Sequence, residues 1–227
     1  MTILVVVAHP DDEVLGCGAS ISKWTKLGQS VHILIMAEGS TSRLESKESV
    51  KISKEVSLLK DSANKVAKIL GANSVKLLGY PDNRMDSIDR LDVVKAIEAE
   101  IELLKPHTVV THHCGDVNID HQIIHEAVVT ACRPQPKFCV KRLLSFEVPS
   151  STEWQPPSSK IAFQPNWFED VSKSIDSKIE ALKVYHSEMK EWPHARSIQS
   201  VKHLARWRGS SVGCDAAEAF ILLREIK

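Results

Sequence analysis

The chain has 227 residues, of which 43% are hydrophobic and 26% are charged, the balance of an ordinary soluble globular protein. Lysine plus arginine and aspartate plus glutamate both number 29, so no excess of positive charge attracts nucleic acid or an anionic membrane. No apolar run approaches the ~20 residues of a membrane span, and no secretory leader pattern begins the chain. These features predict a cytoplasmic protein without a nucleic-acid partner or a membrane span.

The cysteines give no sign of a structural metal site or a disulfide framework. They are odd in number, widely spaced, and form no C-x-x-C pair. We therefore expect free thiols in a reducing compartment. The five are Cys17, Cys114, Cys132, Cys139 and Cys214.

Strand and helix patterns alternate through the first two thirds of the chain. Ile3 to Ala8 is a continuous apolar, β-branched run, typical of a strand buried on both faces of a parallel sheet. The predicted order is strand 3–8, helix 14–27, strand 31–37, loop 38–48, helix 50–70, strand 75–78, loop 79–88, helix 92–104, strand 108–111, helix 120–132 and strand 143–148. This alternation favours right-handed βαβ units, and we expect a Rossmann-like three-layer α/β sandwich with a mostly parallel sheet.

The last third has a different character. A proline- and serine-rich loop is predicted over 149–165, a helix over 170–189 and a loop over 190–197. A helix over 198–207 and a closing strand over 217–224 follow. We expect a single domain, 1–227, made of a βα core (1–148) and a C-terminal extension (149–227) that completes the functional site.

A cluster of charged residues follows the first strand directly. His9, Asp11, Asp12 and Glu13 lie at its carboxyl end, where open α/β sheets bind ligands. Acidic residues at a helix start also cap it, which is the structural alternative. His9 and Asp12 are three apart and can point to one side as a partial zinc ligand set. Asp11, offset from that side, is placed as a general base.

A second cluster follows the fourth strand. His121 begins a helix there and can supply the third metal ligand, provided that its strand lies beside the first strand. Asp120 either supports a ligand from behind or caps the helix. One of His112 and His113, at the strand end, is a candidate to face the pocket, whereas His125 is left out as a structural or solvated residue.

These residues resemble a known family. A-H-P-D-D-E after the first strand, with N-x-D-H about a hundred residues later, is similar to the PIG-L/LmbE-like zinc N-deacetylases. The likeness extends to L-G-Y-P-D-N-R-M-D (78–86), T-A-C-R-P (130–134) and P-H-A-R-S (193–197). The resemblance implies that His9, Asp12 and His121 bind Zn²⁺, that Asp11 is the general base, and that zinc-bound water attacks an amide carbonyl.

One position departs from the family pattern. Asn118 stands where some relatives have a histidine that stabilises the oxyanion or protonates the leaving amine. Asparagine can donate a hydrogen bond to an oxyanion but cannot shuttle a proton. We therefore expect His194, in the C-terminal loop, to supply the missing acid or oxyanion contact, the alternative being an ordinary surface histidine.

Two arginines are candidates to bind substrate hydroxyls or a phosphate, because the guanidinium group suits planar and anionic partners. These are Arg84, which could instead pair with Asp82 or Asp86 in its own loop, and Arg196. The family likeness suggests an N-acylated amino sugar or its conjugate as the small-molecule substrate, and a homo-oligomer. The rival functions are a magnesium-dependent phosphohydrolase that uses Asp11 and Asp12, and a metal-free sugar- or nucleotide-binding module.

Overall fold

The computed structural model describes residues 1–39, 49–136, 138–156, 158 and 162–227, with the backbone alone for 49–54. The predicted loop over 38–48 lies almost wholly outside the described residues. The strands are β1 (Thr2–Val7), β2 (Ser30–Ala37), β3 (Ser74–Tyr80), β4 (Thr108–His112), β5 (Arg142–Phe146), β6 (Trp167–Asp170) and β7 (Ala217–Glu225). The helices are α1 (Asp12–Lys26), α2 (Ser49–Leu70), α3 (Arg90–Leu104), α4 (Ile119–Ala131), α5 (Ile175–Val184) and α6 (Ile198–Ser210).

The strands form one mixed, mostly parallel sheet in the order β3-β2-β1-β4-β5-β7-β6. The first five run parallel, and β7 joins β5 and β6 in the antiparallel direction. The strand order reverses between β1 and β4, which pair directly, as at Val5 and Val110. A crevice therefore opens between their carboxyl ends, the position at which such sheets bind ligands.

The core consists of two apolar layers, one on each face of the sheet. Successive side chains of β1 alternate between them, so that Val5 and Val7 pack on one face and Leu4 and Val6 on the other. The first layer is covered by α1, α2, α5 and α6, and the second by α3 and α4. The predicted three-layer α/β fold is confirmed. No described helix is both long and apolar enough to span a membrane.

The predicted helix over 170–189 is wrong at both ends. Its start is replaced by β6, where Trp167 pairs with Phe220 of β7, and the helix begins only at Ile175. Asp170 ends the strand by accepting hydrogen bonds from the backbone N–H and the hydroxyl of Ser172. A four-residue strand is too short to show a period of its own, and its aromatic pairing partner lies 53 positions away, so local pattern could not reveal it.

Helix α1 is bent in its first half, at the side of the molecule that faces the C-terminal extension. Cys17 has a non-helical φ of −147°, and the freed N–H groups of Ala19 and Ser20 donate to the carboxylate of Glu218 at 3.1 and 2.6 Å. Lys178 of α5 donates to that carboxylate at 2.6 Å and to the carbonyl of Leu15 at 2.8 Å. A buried ion pair thus replaces the missing turn of helix and fixes the direction of the α1 N-terminus.

Candidate metal centre

The centre of the site is a buried cluster of two histidines and one carboxylate at the β1–β4 crevice. Oδ2 of Asp12 lies 3.3 Å from Nδ1 of His9 and 3.2 Å from Nε2 of His121. Asp12 begins α1 and His121 lies in the first turn of α4, so the adjacent strands bring them together. The expected neighbourhood of the two sequence clusters is confirmed.

These three side chains fit a divalent metal ion. Their ligand atoms lie close enough together to share one ion. Oδ1 of Asp12 is buried and has no hydrogen-bond partner among the described residues, an arrangement that is costly unless another group satisfies it. Two imidazoles and a carboxylate are a standard catalytic zinc set, with a fourth position left for water.

The charged side chains of this cluster shift one another's pKa values. Burial alone would lower the pKa of His121, but Asp12 and then Asp116 outweigh it and raise the pKa to about 9. Burial would raise the pKa of Asp12, yet His121 and His9 hold it well below its ordinary value. The pocket therefore stabilises positive charge beside an ionised carboxylate, and a bound cation would take the place of the protons.

A carboxylate contacts each of the two candidate histidine ligands on the side away from Asp12. Oδ2 of Asp120 lies 3.0 Å from Nε2 of His9, and this carboxylate is held by the backbone N–H groups of Asn83 and Met85 at 2.7 and 3.0 Å. Asp82 lies 3.0 Å from the same ring nitrogen. Asp120 is not the helix cap, because that position belongs to Asn118. The contact fixes the His9 ring with Nδ1 toward Asp12.

The support behind His121 is Asp116, which sequence reasoning missed. Its Oδ2 lies 3.1 Å from Nδ1 of His121. Asp116 accepts hydrogen bonds from Thr152 Oγ1 and the Asn118 N–H, both at 2.8 Å, and from the hydroxyl of Ser151. Burial opposes its ionisation, but the His121 contact and these donors lower its pKa to about 2. The position of a lone acid five residues before His121 was the available signal. Two of its three donors, Ser151 and Thr152, come from the C-terminal extension.

His112 lies beneath the cluster. Its ring stacks on that of His121 with centroids 3.9 Å apart, and its Nε2 accepts the N–H of Ala8 at 2.9 Å. Burial, followed by the positive charge of His121, keeps its pKa well below the ordinary value. His112 is thus a neutral side chain on which the ring of His121 packs. His113 packs edge-on against Phe163, and His125 contacts the carbonyl of His112 at 2.8 Å, a structural role.

Asp11 lies beside the candidate metal ligands in a strained backbone conformation. Its φ of 114° is rare for a residue with a side chain, and its N–H donates to Glu13 at 3.0 Å. Burial raises its pKa to about 7, against the opposing charge of Arg196. A carboxylate with a pKa near neutrality suits a general base.

Arg196 brings the C-terminal extension onto Asp11. Its Nη1 lies 2.7 Å from Oδ2 of Asp11, and its Nε donates to the hydroxyl of Ser150 at 2.6 Å. Nδ1 of His194 accepts the N–H of Arg196 at 3.0 Å, so the proton of a neutral His194 ring lies on Nε2. A contact between Arg196 and substrate stays a prediction, since the contact that the structure contains is with the candidate base.

The two remaining predicted residues lie on the rim. Asn118 caps α4 by accepting the N–H of Asp120 at 2.9 Å, and its amide donates to Asn83 at 2.9 Å. Arg84 is exposed in the turn before Met85. Both predicted substrate contacts stay predictions.

The family model described as GlcNAc-PI de-N-acetylase (PIG-L) matches residues 4–132, which include every expected metal ligand. The uncharacterized deacetylase YaiS of Escherichia coli K12 is 28% identical over 193 residues, covering 82% of this chain and 90% of that protein.

Two solved structures share the fold. N,N'-diacetylchitobiose deacetylase from Pyrococcus horikoshii aligns with a TM-score of 0.78 and 18% identity, covering 98% of this chain and 83% of that one. GalB, the 4-carboxy-2-hydroxymuconate hydratase from Pseudomonas putida KT2440, aligns with a TM-score of 0.75 and 23% identity, covering 100% of this chain and 97% of that one. At these identities the matches establish the fold alone.

Proposed function

The chain belongs to the PIG-L family of de-N-acetylases, and from that membership we propose that it is a zinc-dependent hydrolase acting on an N-acetylated amino sugar or its conjugate. The observation that supports this proposal most is the buried set of His9, Asp12 and His121, with an unsatisfied Asp12 oxygen beside a carboxylate whose pKa is about 7. The matching family model, described as GlcNAc-PI de-N-acetylase, supports an N-acetylated amino sugar as the substrate class.

The proposed reaction is hydrolysis of a linear amide. Water adds to the acetyl carbonyl, the C–N bond breaks, and the products are acetate and the free amine of the sugar. A bound Zn²⁺ acidifies water and polarises the carbonyl oxygen. His9, Asp12 and His121 would hold that ion, while Asp120 and Asp116 orient the two rings.

Asp11 accepts the proton of the attacking water in this proposal. The Arg196 guanidinium, at 2.7 Å, favours the ionised form that a base requires despite the burial of the carboxyl group. The leaving amine needs a proton as the C–N bond breaks, and Asp11, once protonated, can return it. His194 is the proposed additional donor to the oxyanion or the amine, through the N–H at Nε2.

A screen of N-acetylated sugars for released acetate, with zinc-loaded protein, tests this proposal. We expect acetate and a free amine from at least one sugar, and a loss of about 10²-fold or more in kcat for Asp11→Asn, the usual scale for a general base. Release of phosphate with Mg²⁺, or hydration of a carbon–carbon double bond with no acetate formed from any amide, would contradict the proposal.

The role of His194 has its own test. His194→Ala is expected to lower kcat with zinc content unchanged, because this side chain makes no contact with the proposed ligands. His107→Ala, at a half-buried position just before β4 and at the opposite end of the parallel strands, is the matched control. Unchanged turnover for His194→Ala, alongside the loss in Asp11→Asn, would exclude a catalytic role for His194.

A further inference from the structure

A large basic cleft lies on the C-terminal extension, outside the candidate metal centre. It encloses about 850 Å³ between the end of α5, the loop that follows and α6. Four cationic side chains line it: Lys183, Lys190, Lys202 and Arg206. Among the described residues of its lining, only Glu191 is acidic.

None of the four cations of this cleft forms an ion pair with another described residue. Lys202 and Arg206 are one helical turn apart on α6, where like charges repel, and α6 contains no acidic residue. Since the whole chain has a formal net charge of zero, this is a local concentration of positive charge. A concave surface with one sign of charge attracts and concentrates anions.

The basic cleft adjoins a second cleft that contains His194. The second cleft encloses about 480 Å³ and is also lined by Trp154. Trp192 lines both clefts and is 53% exposed, so it forms their common wall. From His194 the chain continues to Arg196, which contacts Asp11. The second cleft therefore borders both the basic cleft and the loop that carries Arg196, whose guanidinium contacts the candidate base.

We propose that the basic cleft binds the phosphate groups of a diphosphate-linked conjugate whose N-acyl amino sugar lies at the metal centre. This inference rests on the proposed function for the sugar, and it adds a phosphate site. Arg206 offers a planar fork for phosphate oxygens, and the lysines offer point charges around it. Several cations around one cleft suit a group with more than one negative charge, and the exposed face of Trp192 suits an adjoining ring.

Binding measurements by isothermal titration calorimetry test this site with inorganic pyrophosphate, uridine diphosphate and uridine as probes. Zinc-loaded protein should bind both diphosphates, and binding should weaken as the salt concentration rises. Tighter binding of uridine diphosphate than of pyrophosphate would indicate a nucleotide conjugate. Equal binding of the two would indicate another diphosphate conjugate. Absence of binding of both would overturn the proposal.

The decisive variant is Lys202→Ala/Arg206→Ala. We expect a loss of at least 10-fold in affinity for both diphosphates. Lys60→Ala/Lys68→Ala, on exposed positions of α2, removes the same charge elsewhere and should bind like the unmodified protein. Because zinc itself can bind phosphates, the comparison is repeated on protein stripped of metal, where the same loss is expected. Equal losses of diphosphate affinity in both double variants would show that overall charge causes the effect, and would contradict a specific binding site.

The deacetylation assay separates this inference from the proposed function. Acetate release from a neutral N-acetylated sugar without diphosphate binding contradicts the basic cleft alone. Diphosphate binding that depends on Lys202 and Arg206, with no acetate released from any sugar, supports the phosphate site and contradicts the proposed function.

Discussion

Asp11 combines three properties that its neighbours impose. Its backbone is strained at φ 114°, its side chain is buried, and its carboxylate is paired with Arg196 at 2.7 Å. Burial raises the pKa to about 7, and the Arg196 charge limits that rise. We therefore propose that the arginine acts through the candidate base, as a positioning residue.

Replacing Arg196 should shift the pH dependence of activity. Removal of a cation raises the pKa of a neighbouring carboxyl group, so Asp11 stays protonated to higher pH in Arg196→Ala. The active, ionised form is then lost at neutral pH. We expect the acidic limb of the kcat/KM profile to move to higher pH, and activity at pH 7 to fall roughly 5-fold, as a rise of about one in a pKa near 7 would give.

Arg196→Lys keeps the positive charge and should recover part of the shift, because lysine lacks the fork that also reaches Ser150. Zinc content should be unchanged in both variants. A fall in activity that is equal at every pH would contradict an effect on the ionisation of Asp11.

Asp116 orients the ring of His121 through its contact with Nδ1. With a metal ion on Nε2, the proton of the ring lies on Nδ1, which faces Asp116 at 3.1 Å. Asp116→Asn replaces an ionised partner with a neutral amide, and loss of such a supporting contact typically costs ~10–100-fold in metal affinity. Competition with a zinc chelator measures this loss directly.

Asp176→Asn, near the start of α5, is the control for removing one acidic charge. If Asp116→Asn bound zinc as tightly as Asp176→Asn does, His121 would need no support from Asp116.

At the scale of elements, the bend in α1 depends on the buried pair Lys178–Glu218. Removing one member of a buried ion pair leaves the other charge uncompensated, at a cost of ~3–5 kcal/mol. Lys178→Met should therefore lower the free energy of unfolding in urea by about that amount. The double variant Lys178→Met/Glu218→Gln should recover part of the loss, because the stranded charge is gone while the glutamine amide oxygen can still accept an N–H from the bend.

Equal stability of Lys178→Met and the unmodified protein would contradict a stabilising role for the pair. Stability of the double variant below that of Lys178→Met would contradict the assignment of the loss to a stranded charge.

The same scale shows how far sequence could predict this molecule. The β1 run and the three-residue spacing of His9 and Asp12 are local, so they predicted a buried strand followed by two ligands on one side. The prediction that His121 lies beside these two residues required only that β4 be adjacent to β1, an arrangement that right-handed βαβ units make common. The contact of Ser151 with Asp116 and that of Arg196 with Asp11 could not be predicted, because these partners are 35 and 185 positions apart. The β6 strand was missed for the same reason, since its partner is β7.

At the scale of the whole molecule, the C-terminal extension forms one wall of the site. Ser151 and Thr152 hold Asp116, Tyr185 donates to Glu13 at 2.8 Å, and Arg196 contacts Asp11. The division of one domain into a βα core and an extension that completes the site stays a prediction. The extension also contributes β6 and β7, which complete the sheet beyond β5.

Zinc binding should stabilise the protein as a whole. A ligand that binds only the folded state raises its stability by RT ln(1 + [L]/Kd), about 2.7 kcal/mol at 100 times Kd. We expect the midpoint of thermal unfolding to rise by several degrees on zinc addition, and the rise to be absent in Asp12→Asn. A rise of the same size in that variant would place the bound zinc elsewhere.

The most direct test of the metal centre is acetate release by metal-free protein as zinc is added back in steps. The proposed ligands predict no turnover without metal, activity that rises in proportion to zinc, and a plateau at one equivalent per chain. Asp12→Asn should stay inactive throughout. Full turnover in the absence of metal, or an Asp12→Asn variant that zinc activates as fully as the unmodified protein, would contradict the assignment of His9, Asp12 and His121 as the catalytic zinc site.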